Sequence, residues 1–275
     1  MDVPPDAYRP SQMAERVLAA GVEKAGLSTS HTIALAVLAG AFIALGAAFS
    51  IVVTASSTFP FGVTRALGGV AFSLGLILVV VAGAELFTGN NLIAMAWASR
   101  AIGTRAIFRN WVLVYFGNFL GSVGTAILVF WSGTWSMGSN SVGQNAVAIA
   151  ASKVQLPPGE AFVRGVLCNA LVCLAVWLCY SARNTSDKIL AVVWPITAFV
   201  ALGFEHSIAN MYFIPLGILL RHQPAIGTGG ELQRLDFSGL LGNLIPVTLG
   251  NIVGGTLLVA GVYWFIYLRS VDSAV

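Results

Sequence analysis

Two short strings carry carboxylates, carboxamides, hydroxyls and one imidazole inside long apolar runs. They are Gly83-Ala84-Glu85-Leu86-Phe87-Thr88-Gly89-Asn90-Asn91 and Gly203-Phe204-Glu205-His206-Ser207-Ile208-Ala209-Asn210. His206 is the only histidine within such a run; His31 and His222 fall at run ends. An imidazole titrates near pH ~6.5, so at membrane depth it can hold or release a proton close to neutrality. Thr88, Ser207, Asn90, Asn91 and Asn210 are neutral hydrogen-bonding groups that can replace part of an ion's hydration shell, or satisfy a broken backbone. Glu85 and Glu205 stand at matching places before the two turns. A carboxylate lining an anion path would repel its cargo, so both are read as structural, capping freed N–H groups or pairing with bases.

The elements that must position these groups follow from composition. The chain is 57% hydrophobic and 9% charged, with a mean hydropathy of +0.85. Soluble domains carry about 25% charge, so this is a polytopic membrane protein. The net charge of +3 is spread over the ends of apolar runs, which excludes a nucleic-acid patch. The charged first thirty residues read as no cleaved signal peptide. Six runs reach the ~20 residues a spanning helix needs, at about 32–54, 66–97, 110–132, 160–181, 189–220 and 241–268. The second and fifth are too long for simple spans and hold the polar strings, so each reads as two half-helices joined by a turn. Backbone breaks are tolerated at that depth only where they are buried in protein or line a water path.

A repeat confirms the pairing. Asn110, Gly117, Asn118 and Gly121 recur 133 residues later as Asn243, Gly250, Asn251 and Gly254. Glu85 and Asn90 recur 120 residues later as Glu205 and Asn210. With three spans per copy, the second copy must be inverted, and inverted repeats with paired broken helices place a binding site near the midplane. The expected fold is an all-α polytopic membrane protein, six transmembrane helices in two inverted three-helix repeats (about 32–132 and 160–268), each with one broken helix. Basic residues set its orientation: Arg9, Arg16, Lys24, Arg100, Arg105, Arg109, Arg183, Lys188 and Arg269 lie on one side, against Arg65, Lys153, Arg221 and Arg234 on the other. The positive-inside rule then makes both the 1–31 segment and the 269–275 tail cytoplasmic.

Within 1–31, residues 11–27 read as an amphipathic helix with a stripe of Ala14, Val17, Leu18, Val22 and Ala25, either an anchor on the membrane surface or a lid over a pore mouth. Lys153, placed in the loop before span four, and Arg164, one turn inside it, could draw anions to a mouth or snorkel. Asn169 follows on the same helix and could face the path. Cys168, Cys173 and Cys179 match no metal motif and read as small packing residues. Gly117-x-x-x-Gly121 and Gly250-x-x-x-Gly254 read as close helix contacts.

The strings AELFTGNN, GFEHSIANMYFIPLG, NWVLVYFGNFLGSVG and NLIPVTLGNIVGG closely resemble the formate/nitrite transporter family, over about residues 10–269. PFG and FSLGLIL read like its formate channels. The resemblance implies an aquaporin-like protomer in a homopentamer of the inner membrane, one pore per protomer and no cofactor. It implies His206 as the central pore histidine with Thr88 as its partner. Phe72 and Phe199 would form the outer constriction and Leu76, Leu86 and Phe87 the inner one. Asn169 would belong to the pore, Lys153 to the outer vestibule, and Glu205, Ser207 and Asn210 to the second turn. The Thr-Gly-Asn-Asn turn departs from the formate channels, and VLCNALVCLA reads equally like nitrite channels. Formate therefore leads, with nitrite, acetate, lactate and hydrosulfide open, as is channel against proton-coupled passage.

Other classes fare less well. A neutral-solute channel of aquaporin type would carry Asn-Pro-Ala at both turns, and neither turn does. A haem subunit needs two ligating histidines within spans. No nucleophile, triad or metal signature supports an enzyme.

Overall fold

The computed structural model describes residues 6–226 and 234–269, so nearly all of the expected C-terminal tail lies outside the described residues. All regular secondary structure among the described residues is helical, with no strand. The first half contains α1 (Pro10–Gly26), α2 (Thr29–Thr54), α3 (Phe61–Leu78), α4 (Ala94–Ala98) and α5 (Thr104–Trp131). The second contains α6 (Ser141–Val154), α7 (Pro158–Ser181), α8 (Thr185–Ala201), α9 (Ser207–Leu220), α10 (Phe237–Val253) and α11 (Val262–Tyr267). Asp236 caps α10, accepting the Gly239 N–H at 2.9 Å and the Ser238 hydroxyl at 2.7 Å, and these bonds hold its carboxyl below the usual carboxylate range.

Five helices are long and apolar enough to cross a membrane, and the sixth crossing is the interrupted pair α8–α9. The two interruptions are unequal. α3 runs on through a π-helical segment, Val79–Gly83, into a piece of 23 residues. Only a 3-10 turn, Gly89–Ile93, and the five-residue α4 follow its break. The expectation of two half-helices therefore holds better for the second repeat, because Arg100 ends the apolar stretch soon after the first break.

Each broken helix stops at a glycine in the left-handed region, Gly83 at φ 83° and Gly203 at φ 72°. A side chain would strain that conformation. Both stops share one bond pattern. Ala84 N–H donates to Val79 O and Phe204 N–H to Phe199 O, each at 3.0 Å.

The halves wrap around each other. α2 packs on α3 and α5, α7 on α8 and α10, and α3 against α8. Equivalent residues meet directly at two places: the Tyr115 hydroxyl lies 2.9 Å from that of Thr248, and the Ser73 hydroxyl donates to Val193 O at 3.3 Å. Contacts between equivalent positions mark a pseudo-two-fold axis. Glycine permits the close helix crossings: a Cβ on Gly121 would lie 2.0 Å from Val37 O, and one on Gly254 2.1 Å from Val166 O.

Two sequence expectations change here. α6 is a helix where a loop was expected, and Lys153 sits in its last turn. Its buried Val142, Ala146, Val147, Ala150 and Val154 recur with helical spacing against α9. α1, expected as an amphipathic helix that anchors on a membrane surface or lids a pore mouth, buries Met13, Ala14, Val17 and Gly21 against the 3-10 turn, α4 and α7. Gly21 allows this, since a Cβ there would lie 3.0 Å from the Ala96 Cβ, and Val22 of the expected stripe is exposed instead.

Candidate functional site

The breaks leave backbone groups that lipid cannot satisfy, and the same carboxamides satisfy them in both halves. Asn118 Oδ1 accepts the Phe87 N–H at 2.9 Å, while its Nδ2 donates to Ala36 O (2.7 Å) and Glu85 O (2.9 Å). Asn251 repeats this on Ser207 N–H (2.9 Å), Gly165 O (2.8 Å) and Glu205 O (3.0 Å). Asn90 Nδ2 donates to Glu85 at 2.6 Å and Asn210 Nδ2 to Glu205 at 2.6 Å. Asn90 also reaches Asn110 Oδ1 (3.0 Å), and Asn210 reaches Asn243 Oδ1 (2.7 Å).

The two glutamates are both ion-paired. Lys24 of α1 pairs with Glu85, and Lys153 of α6 lies 2.9 Å from Glu205. α1 and α6 are thus equivalent helices, each supplying one lysine to one break. Sequence reasoning anticipated basic partners for the glutamates but missed Lys24. The 129-residue spacing of Lys24 and Lys153 is the signal that could have found it.

Symmetry ends at the tips of the turns. Leu86, Phe87 and Thr88 in the first turn answer to His206, Ser207 and Ile208 in the second. Thr88 Oγ1 and His206 Nε2 come together at 3.0 Å, joining the turns across the axis. His206 Nδ1 accepts the Ala209 N–H at 3.1 Å and so caps α9. A nitrogen that accepts carries no proton, so this geometry belongs to the neutral ring with Nε2–H aimed at Thr88. The Thr88 carbonyl is held by Asn169 Nδ2 and by the Cys173 thiol, each at 3.3 Å.

Two cavities, each of about 410 Å³, approach this pair from opposite sides. One lies on the α6 side and is lined by Arg65, Phe72, Lys153, Arg164, Phe199 and His206. The other lies on the α1 side and is lined by Lys24, Leu35, Leu76, Val80, Leu86 and Lys188. Phe72 and Leu76 are one turn apart on α3 yet face different cavities, so the wall between them is only about 6 Å deep along the helix. Phe72 and Phe199 meet edge to face at 5.5 Å, and the Phe199 ring stacks on the His206 ring at 5.8 Å. Phe72, Leu76, Leu86, Phe199 and His206 are all at most 3% exposed, so the wall is closed.

The structure therefore brings His206, Thr88, Phe72, Phe199, Leu76 and Leu86 to one wall, with Lys153 in the cavity beyond it. Phe87 lines neither cavity. Its ring packs on Tyr115 at 5.0 Å and Trp111 at 6.3 Å, because its backbone N–H is held by Asn118 on the same helix. Asn169 is fully buried behind Thr88, also donating to Asn251 O at 2.7 Å, and lines neither cavity. Glu205, Ser207 and Asn210 support the second turn as described.

An all-helical membrane protein with inverted repeats, two broken helices and a closed, mostly apolar wall holding one His–Thr pair between opposed cavities has the build of a transport protein. Comparisons make the class specific. The sequence matches the formate/nitrite transporter family over residues 11–265. It is 44% identical to the formate channel FocA of Escherichia coli K12, with 98% of each chain covered. It is 41% identical to a probable formate transporter of Methanothermobacter thermautotrophicus, over 90% of this chain and 92% of that one. Its fold matches a pentameric formate channel with formate bound at a TM-score of 0.82 and 42% identity, covering 88% of this chain and 98% of the other. The chain belongs to the formate/nitrite transporter family, a family of transporters rather than enzymes.

Proposed function

We propose that this chain passes small monovalent anions, formate foremost, through the wall between the two cavities, with His206 as the central group. The observation that carries the reading is the Thr88–His206 pair, whose Nε2–H is a donor set between Phe72 and Phe199 on one side and Leu76 and Leu86 on the other. An isolated anion in an apolar medium costs on the order of tens of kcal/mol, so an unassisted crossing is excluded. A neutral N–H donor beside a hydroxyl offsets part of that cost without trapping the anion as a fixed charge would.

Proton coupling is part of the proposal. A second proton on His206 would go to Nδ1, displacing the Ala209 N–H and uncapping α9. The neutral ring is therefore the resting form, and protonation is a transient event tied to passage of a weak acid. The sequence relatives named for formate and the formate-bound structural relative support formate over nitrite. The same relative, a pentamer, supports a homopentamer. The excess of basic residues on one side of the spans supports placing both termini in the cytoplasm, with the protein in the inner membrane.

The test is formate flux into proteoliposomes by wild type and His206→Phe, at two pH values, with nitrite, acetate and lactate as competitors. We expect the substitution to abolish or strongly reduce flux while the assembly remains intact by size. Unchanged flux with unchanged pH dependence would sink the histidine-centred reading.

A further inference from the structure

The α6-side cavity holds three cations and one carboxylate among its lining residues, and these cations are not alike. Lys153 is paired with Glu205 at 2.9 Å. Arg164 is paired with Glu160 at 3.1 Å on an exposed helix face. Arg65 makes no ion pair within 4.0 Å among the described residues, although the Glu205 carboxylate on the same cavity interacts with it electrostatically. Its Nε donates to Ala201 O at 3.3 Å and its Nη2 to Val200 O. Arg65 thus lays one edge of its guanidinium across the last carbonyls of α8, directly before the Gly203 break.

That position matters electrostatically. A helix C-terminus carries roughly −0.5 of a charge, and here it faces the cavity from which an anion would approach. Arg65 more than offsets it. The bonds use the Nε–H and one N–H of Nη2, which leaves Nη1 and the second N–H of Nη2 without a protein acceptor among the described residues. A free guanidinium edge fits a planar, two-oxygen anion with two parallel N–H···O bonds.

We propose that Arg65 forms an anion-binding site in the α6-side cavity, taking a small carboxylate on its Nη1–Nη2 edge before the anion meets Phe72, Phe199 and His206. The Val200 and Ala201 carbonyls fix the plane of the guanidinium, and the half-buried setting of Arg65 strengthens its field over that of a solvated surface arginine. The charge of Arg65 attracts the anion both at the guanidinium and at the adjoining wall of Phe72, Phe199 and His206, so its loss changes apparent affinity more than maximal rate. This inference rests on the anion-channel reading above.

The test compares wild type with Arg65→Lys, Arg65→Gln and Arg65→Met. Formate flux into proteoliposomes is measured against formate concentration. Formate-induced shifts of the thermal midpoint are measured on the purified proteins. Gln and Met should raise the half-saturating formate about tenfold, the low end of what focused fields give. Saturating flux should stay within about twofold, as expected when uniform binding is lost. Both should also shrink the formate-induced stabilisation. Lys should recover affinity only in part, because an ammonium keeps the charge but not the fork.

The proposal is overturned if Arg65→Gln matches wild type in affinity, which would leave Arg65 as a helix cap only. It is equally overturned if saturating flux falls with affinity unchanged. Full recovery by Lys would refute the two-bond geometry. If wild type passes no formate, the channel reading fails. The thermal shift then still decides the site, since an equal shift in wild type and Arg65→Gln rules it out.

Discussion

Asn251→Ala is the sharpest test of what holds the pore turns in place. Asn251 is fully buried and bonds the backbone on both sides of His206: the Ser207 N–H, the Glu205 carbonyl and, across to α7, the Gly165 carbonyl. Alanine leaves all three groups without that partner. A buried unpaired polar group costs ~1–3 kcal/mol in soluble proteins, whereas hydrogen bonds between membrane helices average only ~0.6 kcal/mol when cut. Three groups therefore bracket the loss between about 2 and 9 kcal/mol. The lower half of that range is expected, because some carbonyls rebond locally. We expect about 3 kcal/mol, measured as the shift in unfolding midpoint of the purified protein, together with a marked fall in formate flux. Asn118→Ala should match it to within about 1 kcal/mol, since Asn118 makes the same three bonds around the first turn. A loss below about 0.5 kcal/mol for Asn251→Ala would refute the clamp, as would a large loss at one asparagine and none at the other.

Lys153→Met should destabilise by about 3–5 kcal/mol, because it strands a buried Glu205 carboxylate, and the double variant Lys153→Met/Glu205→Gln should regain much of that. Thermal unfolding of both proteins decides it; a double variant worse than the single would contradict the pairing. Gly121→Ala and Gly254→Ala should each destabilise by at least about 1–3 kcal/mol through the contacts with Val37 O and Val166 O. Gly124→Ala, with nothing within 4 Å of the added carbon, should be silent in the same measurement.

Much of the architecture was legible in the chain because lipid makes it so. Spans must be long and apolar, and breaks must carry their own polar groups, so both stand out in composition. The repeat was legible because Asn118 and Asn251 do identical work and no other residue type offers one acceptor and two donors at that size. Lys24 escaped notice because its partner Glu85 lies 61 residues away, and an ion pair leaves no mark in local spacing. α6 was missed because it is short, of mixed polarity and not a span, so neither length nor hydropathy announces it. Arg65 looked like an ordinary residue of the side poor in basic groups, since nothing in the sequence ties it to the carbonyls of α8.

Phe87 marks the boundary most clearly. Its place beside Thr88 in the sequence suits a constriction, but the turn that sends Leu86 into the α1-side cavity sends Phe87 toward Trp111 and Tyr115. Sequence alone determined the class of protein, the six crossings, the two breaks and which side chains could act there. The family resemblance already paired Thr88 with His206 and named Phe72, Phe199, Leu76 and Leu86 as closing residues; only the tertiary structure decided that the Ala209 N–H holds the ring as a neutral donor and that Phe87 and Asn169 turn away from the cavities. The physical reason is that a break frees the backbone from helical periodicity. Beyond it, side-chain direction is set by partners distant in the chain, here Asn118 and Asn251.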